Sequence, residues 1–404
     1  MKLHWQILLG ILIGVLVGAV AGDLPTVIDA AGFIGDLFLK LLRMVVVPLV
    51  LTSIVSGIAR LGAGQDAGRL FGATILVYIG TSFAAIVTGL VVVNIVQPGS
   101  GAEQLLQPLP EGFEPHVLTL RRLFLEMVPS NPFGAAAEGQ MLPLIVFSVL
   151  FGLAVARVGA AGDAVRDLFE GGFAAMLELT EWILRLAPVG IAGLIARIVA
   201  TTGFDAFRPL GWYVACVVLA LVLHAVVTLP LLLRVLARRR PTAYARAVSP
   251  ALLTAFSTAS SSATLPLTMQ RVESAAGVPN KVAGFSLPLG ATINMDGTAL
   301  YECVAAIFIA QVYGLDLTIA QQVLVVLTAL LASIGAAGIP MAGLVMMSVI
   351  LNAVGLPLEG IGLILAVDRI LDMMRTTVNV WSDTVAAAVV AQWINPAVER
   401  GELT

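Results

Sequence analysis

Asp368-Arg369-Ile370-Leu371-Asp372-Met373-Met374-Arg375-Thr376-Thr377-Val378-Asn379-Val380-Trp381-Ser382-Asp383 lies in an otherwise apolar stretch, with Ile361 to Val367 before it and Thr384 to Trp393 after it. Asp368, Asp372, Arg375, Asn379 and Asp383 follow one another at intervals of four, three, four and four residues. On an α-helix that spacing gathers all five into a sector of about 80°. A charge at the bilayer centre costs roughly 2.5–3.5 kcal/mol, so four charges on this stripe would cost about 10 kcal/mol or more against lipid. The stripe must therefore face protein, ions or substrate. An internal salt-bridge ladder, Asp372 to Arg375 for example, is one such arrangement. One arginine cannot neutralise three carboxylates, however, and bound cations are the economical complement. Arg369 falls off the stripe and reads as structural.

The bilayer as solvent is written along the whole chain. Of 404 residues, 59% are hydrophobic and 12% charged, about half the charged share of a soluble domain. A net charge of -3 offers no basic surface for nucleic acid. Cys216 and Cys303 sit in apolar segments and read as small buried hydrophobes. His4, His116 and His224 are scattered and form no ligand cluster. No nucleophile–base pair or metal motif points to an enzyme.

Apolar segments near 5–22, 33–58, 70–96, 140–157, 165–200 and 209–236 read as six helices, each long enough for a hydrocarbon core of about 30 Å. The first is read as a retained helix rather than a cleaved signal. The fifth is too long to be straight, and Pro188 is expected to break or bend it. Arg60, Arg69, Arg157, Arg166 and the group Arg234, Arg238, Arg239, Arg240 and Arg246 follow the even-numbered helices, whereas the 23–32 connection has Asp23 and Asp29 and no cation. The excess of cations puts both termini of this block in the cytoplasm. The long 97–139 connection, with Arg121 and Arg122 as a solvated face, is then external. Lys40 and Arg43 are expected to snorkel or to pair with Asp36; Met44, Met346 and Met347 read as filler.

In the second half, apolar segments are interrupted where a spanning helix should be continuous. The 250–279 stretch breaks at Ser257-Thr258-Ala259-Ser260-Ser261-Ser262-Ala263-Thr264-Leu265-Pro266, and the 318–356 stretch breaks around Ser333-Ile334-Gly335-Ala336-Ala337-Gly338-Ile339-Pro340. Each side is too short to span, so both read as re-entrant hairpins. Each precedes a polar-bearing helix, 282–312 and 357–392, which is a weak internal repeat. Paired interruptions in corresponding positions point to a transport site, because irregular backbone at membrane depth must be buried in protein or line a cavity. The expected fold is thus an all-α polytopic membrane protein of eight transmembrane helices and two re-entrant hairpins.

Three further clusters carry chemistry. In Asn294-Met295-Asp296-Gly297-Thr298 the two acidic or amide groups would face opposite ways on a helix. Gly297 invites a break, and an unwound turn would let them converge with free carbonyls on a hard cation such as sodium; a helix cap inside the bundle is the plainer alternative. Ser260-Ser261-Ser262 can offer N–H and hydroxyl groups to a carboxylate at the positive end of a half-helix, although a serine triplet alone is more often a turn. Glu302, on the face of Thr298, is a proton-carrier candidate in its low-dielectric setting; a neutral hydrogen-bonding acid is the equally open alternative. Tyr78, Thr81 and Ser82 put hydroxyls in an apolar helix, where packing by hydrogen bonds is the simpler reading.

At these motifs, and at Met44-Val45-Val46-Val47-Pro48-Leu49, the sequence resembles the glutamate/aspartate transporter family, the dicarboxylate/amino acid:cation symporters. The motifs occur in family order and spacing along the whole chain. The resemblance implies inverted repeats and a homotrimer. It also implies a static scaffold in 1–69 and in 97–208 after the external loop, and a transport domain in 70–96 and 209–404 that moves like an elevator behind a second-hairpin gate. It implies that Arg375 pairs with the substrate's side-chain carboxylate and Asp372 with its amino group. Asn379 and the Ser261 amide would hold the α-carboxylate, with Ser260, Ser262, Thr298, Ile339, Gly343 and Thr376 in the same pocket. For sodium it implies one site from Gly290, Asn294, Asn379 and Asp383, a second from Tyr78, Thr81, Ser82, Asn294 and Asp296, and a third from Thr292, Ser333, Ile334 and Ala336. Glu302 matches the residue tied to proton coupling in animal members, and Asp383 is replaced in proton-only bacterial relatives. Two arginines of the family pattern are missing here, at Ala259 and Met373. The implied function is sodium-driven symport of aspartate or glutamate, with proton co-transport, in a cell inner membrane. Symport of C4-dicarboxylates or neutral amino acids, driven by protons or sodium, and an anion channel are the alternatives.

Overall fold

The computed structural model describes residues 3–59, 65–101, 125, 128–138, 140–202, 207–335, 342–358 and 360–394, and every regular element among them is helical. The first half contains α1 (Leu3–Val20), α2 (Pro25–Ala59), α3 (Gln65–Val96), the short α4 (Pro132–Ala137), α5 (Met141–Arg157), α6 (Asp163–Arg185) and α7 (Ala187–Thr202). Helix α2 starts eight residues before the expected boundary at 33. Pro25 is its first residue, where the preset φ suits a helix and the missing N–H costs nothing. The break expected in the fifth segment is present. Pro188 sits in the first turn of α7, and the arms Gly159–Ile183 and Ala187–Thr201 are bent by 52°. Arg121 and Arg122 lie outside the described residues.

Helix α2 packs on α5, α6 and α7, and α1 lies along α7. Gly10, Gly14 and Gly18 make that last contact possible: a Cβ at each would run into the carbonyl oxygen of Pro188, Ala192 or Ala196 respectively. With the hydrophobic effect absent between helices in lipid, such close backbone approach is a main source of association. Asp36 takes its partner from the same region. It pairs with Arg197 at 2.9 Å rather than with Lys40, and the Arg43 side chain lies outside the described residues. Arg197 arrives on α7 against the α2 face that carries Asp36, while Lys40 is exposed.

The second half begins with α8 (Phe207–Leu223), which continues through a π-turn (His224–Thr228) into α9 (Leu229–Val235). Then come α10 (Pro241–Thr258), α11 (Ser261–Ser274), α12 (Asn280–Ile293), α13 (Asp296–Val312), α14 (Ile319–Gly335), α15 (Ala342–Val354) and α16 (Gly360–Ile394). Pro241 opens α10, again earlier than the expected 250 and again at a first-turn position. Helices α10 and α11 pack on each other and on α16, as α14 and α15 pack on each other. Tyr244 on α10 donates to the Thr384 carbonyl on α16 at 2.6 Å.

Helix α13 is the centre of this half. Each of its residues except Gln311 is buried, and α3, α14 and α16 pack around it. Stretches 69–96, 208–235 and 280–312 are each long and apolar enough to cross a bilayer. Large apolar side chains such as Leu12, Leu16, Leu76, Ile95, Val226 and Leu231 stand exposed on the outside, the reverse of a water-soluble surface.

Candidate substrate and cation site

Helix α16 presents its polar stripe inward, as its spacing requires. Asp368, Asp372, Arg375, Asn379 and Asp383 are all buried, and Arg375 is the one buried arginine or lysine among the described residues. Its Nη1 donates to Asp368 Oδ1 at 3.0 Å and its Nη2 to Asp372 Oδ1 at 2.8 Å. The guanidinium carbon lies 3.9 Å from the Tyr301 ring centroid, close enough for a cation–π contact. Tyr301 in turn tilts on Tyr213, which stacks on Phe308 at 4.6 Å. Gly343, at the start of α15, roofs the same group: a Cβ there would sit 2.9 Å from Arg375 Nη1. Arg369 reaches Asp372 Oδ2 at 3.4 Å from the more exposed side.

The turn between α12 and α13 is unwound, as expected, with Asn294 (φ -101, ψ 79) and Met295 (φ -111, ψ 63) both out of helical geometry. Gly297 is not the breaker. It is already inside α13, and a Cβ on it would sit 2.5 Å from the Arg375 carbonyl oxygen, so its small size serves close crossing of α13 and α16. Asn379 fastens that crossing. Its Oδ1 accepts from the Gly297 and Thr298 amides at 2.7 and 3.3 Å, and its Nδ2 donates to Thr298 Oγ1 at 3.1 Å. Thr298, Asn379, Arg375 and Asp372 thus share one region of the α13–α16 contact, and Thr376, next in sequence to Arg375, is buried.

A second, oxygen-rich cluster lies where α3 meets that turn. Thr81 Oγ1 is 3.1 Å from the Tyr78 carbonyl, 3.2 Å from Asn294 Oδ1 and 3.3 Å from Asp296 Oδ1. Ser82 Oγ is 2.7 Å from Asp296 Oδ1. A hydroxyl has one proton, so two hydroxyls face more acceptors than they can serve, an oxygen-rich set of the kind that suits a hard cation. Asn294 Nδ2 is occupied with Ser382 Oγ at 3.1 Å and Asp383 Oδ1 at 3.0 Å, which turns its oxygen into the cluster. Ser382 Oγ donates to Asp296 Oδ2 at 2.6 Å. Tyr78 donates to the Ser286 carbonyl at 2.5 Å. Gly290 has no room for a Cβ, which would meet Asp383 Oδ1 and the Tyr78 hydroxyl. The structure therefore brings Tyr78, Thr81, Ser82, Gly290, Asn294, Asp296 and Asp383 together.

The other expected residues divide. Ser260 is the N-cap of α11, accepting from the Ala263 amide at 3.2 Å after Ala259 in left-handed geometry; Ser261 is buried and Ser262 exposed. Thr292 and Ser333 each donate to a carbonyl within their own helix, Leu289 and Leu330. Ala336, Ile339 and the Ile334 side chain lie outside the described residues. Glu302 is buried, and neither carboxyl oxygen has a hydrogen-bond partner among the described residues.

The sequence pattern that defines the sodium:dicarboxylate symporter family matches residues 3–393. The chain belongs to that family. It is a multi-pass membrane protein, in keeping with the apolar exterior of its helices. It is 37% identical over 399 residues to the proton/sodium-glutamate symport protein of Geobacillus stearothermophilus, covering 97% of this chain and 94% of that one. It is 38% identical over 369 residues to the proton/glutamate-aspartate symporter of Escherichia coli K12, covering 89% and 84%. It is 35% identical over 425 residues to human excitatory amino acid transporter 3, covering 92% and 81%.

Some residues at the family member's two clusters were not singled out by sequence. His224, set aside as scattered, lies with Nε2 3.2 Å from Asp296 Oδ2, both side chains fully buried. Tyr301 and Tyr213 form the aromatic bed under Arg375. The available signal for His224 was an ionisable residue in a 28-residue apolar span, which is costly unless partnered.

Proposed function

We propose that this chain is a secondary symporter of aspartate and glutamate driven by sodium, with a proton co-transported. The observation that carries the reading is Arg375, a buried guanidinium held between Asp368 and Asp372 beside an acceptor-rich cluster. A carboxylate substrate binds the planar fork of Arg375 in a bidentate manner, which releases Asp372 to take the substrate's amino group. A C4-dicarboxylate would set a second carboxylate against Asp372, so the pair selects an amino acid with an acidic side chain. Asn379 and the amides at the α11 N-terminus, with Ser260, Ser261 and Ser262, hold the α-carboxylate. Sodium occupies the cluster of Tyr78, Thr81, Ser82, Asn294 and Asp296 and a neighbouring position at Gly290, Asn379 and Asp383. A third ion joins Thr292 and Ser333. Glu302 takes the proton.

The names of the relatives in Geobacillus, Escherichia coli and human support this assignment. In the finer reading the protein is a homotrimer in the inner membrane with cytoplasmic termini and two re-entrant hairpins, α10–α11 and α14–α15. Scaffold helices α1, α2 and α5–α7 stay fixed while α3 and α8–α16 move as an elevator. Uptake of labelled aspartate into proteoliposomes, with sodium and pH gradients imposed separately, tests the function. Sodium-driven accumulation that unlabelled succinate does not compete away is expected. No accumulation under either gradient would sink the proposal.

A further inference from the structure

The π-turn in the α8–α9 span has a local cause. Pro230 cannot donate, and its ring would collide with the carbonyl four residues back in a regular helix. The backbone widens instead, and the Leu229 amide donates to the His224 carbonyl, five residues back. In that register the Ala225 carbonyl faces the nitrogen of Pro230, which has no hydrogen to give. The Trp381 indole N–H, from α16, donates to it at 3.0 Å. A single π-turn in an α-helix frequently marks a functional position, and this one carries His224.

His224 is fully buried, and its Nε2 lies 3.2 Å from Asp296 Oδ2. A carboxylate only accepts, so Nε2 carries the hydrogen and donates. Asp296 Oδ2 then has two donors, His224 and Ser382, while Oδ1 is turned to Thr81 and Ser82. The final torsion of an aspartate side chain is broad and roughly two-fold. Its orientation has to be imposed from outside, and these two donors impose it. The ring's other nitrogen, Nδ1, has no partner among the described residues, so Asp296 is the only group there that explains a histidine at this depth.

We propose that His224 is a positioning residue for cation binding at Asp296: held by the Pro230 π-turn and the Trp381 anchor, it fixes Oδ2 so that Oδ1 points into the Thr81, Ser82 and Asn294 oxygens. The inference rests on the sodium reading of that cluster. Outer partners of metal ligands are worth 10–100-fold in affinity. The test uses the full-length protein with His224→Gln, whose amide reaches as far as Nε2, and His224→Asn, whose amide is too short. Two quantities are measured: thermal stabilisation by sodium chloride against choline chloride without substrate, and the sodium concentration for half-maximal aspartate uptake in proteoliposomes. His224→Asn should shift both to about tenfold higher sodium or more, and His224→Gln should stay within about threefold of the parent. The aspartate KM at saturating sodium should move less than about twofold in either. Equal sodium titrations for the two variants would overturn the inference alone, as would an aspartate KM that shifts by the same factor at saturating sodium. A parent protein indifferent to sodium in both assays would instead remove the sodium reading on which it stands.

Discussion

Arg375→Leu isolates the central charge balance of the site. The substitution keeps most of the volume and deletes two charge-assisted hydrogen bonds, 3.0 Å to Asp368 and 2.8 Å to Asp372. Removing one partner of a buried pair costs about 3–5 kcal/mol, because the other charge is left uncompensated. The two aspartates do not share that loss equally. Asp372 keeps Arg369 at 3.4 Å, whereas Asp368 is fully buried with Oδ2 unpartnered among the described residues. Asp368→Asn in the Arg375→Leu background should therefore recover about 0.5–3 kcal/mol, the range of coupling between contacting residues, and Asp372→Asn should recover less. Unfolding in mixed micelles titrated with dodecyl sulfate, followed by tryptophan fluorescence, reads the stability. Aspartate uptake should be absent in all three, since none has a guanidinium for the substrate. If Asp368→Asn simply added its own loss to that of Arg375→Leu, the pairing assigned here would be wrong.

Tyr301→Leu removes a desolvated cation–π contact of about 2 kcal/mol, and should raise the aspartate KM about thirtyfold while Tyr301→Phe keeps most of the affinity; a shift under threefold for the leucine variant would count against the aromatic bed. Gly297→Ala places a methyl 2.5 Å from the Arg375 carbonyl and should cost about 1–3 kcal/mol in the same micelle titration, so an unmoved midpoint would contradict the crossing described. Glu302→Gln should retain sodium-driven uptake but lose the acceleration given by an inward proton gradient; a preserved pH response would exclude Glu302 as the proton carrier.

Features set by local chemistry were legible in the sequence. The stripe on α16 follows from helical period and the cost of charge in lipid, the bend at Pro188 from a missing donor, and the unwound turn at Asn294 from two polar groups that a helix would separate. What escaped depends on partners far along the chain. Gly297 reads as a hinge until Arg375, from α16, is found against its backbone. Asp36 has a plausible partner one turn away in Lys40, and only the docking of α7 brings Arg197 instead. His224 is 72 residues from Asp296, and nothing in its neighbourhood, Pro230 apart, announces that it is partnered. The charge stripe was legible as chemistry and Asp372 to Arg375 as one rung of a ladder, yet the second bond of Arg375, to Asp368, needed the rotamers.

The burial of α13 bears on how the protein is made. A helix with almost no surface for lipid, carrying Asp296 and Glu302 inward, has nothing to recommend it to the bilayer as it leaves the ribosome. Its complement on α16 is synthesised 81 to 89 residues later. Until then Asp296 has Thr81 and Ser82 on α3 and His224 in the π-turn, and the rest of its shelter must come from the insertion machinery. A chain stopped after Val354 should be cleared by quality-control proteases, even though it contains most of the helices, because Asp296 would have lost Ser382 and the unwound turn would have lost Asp383.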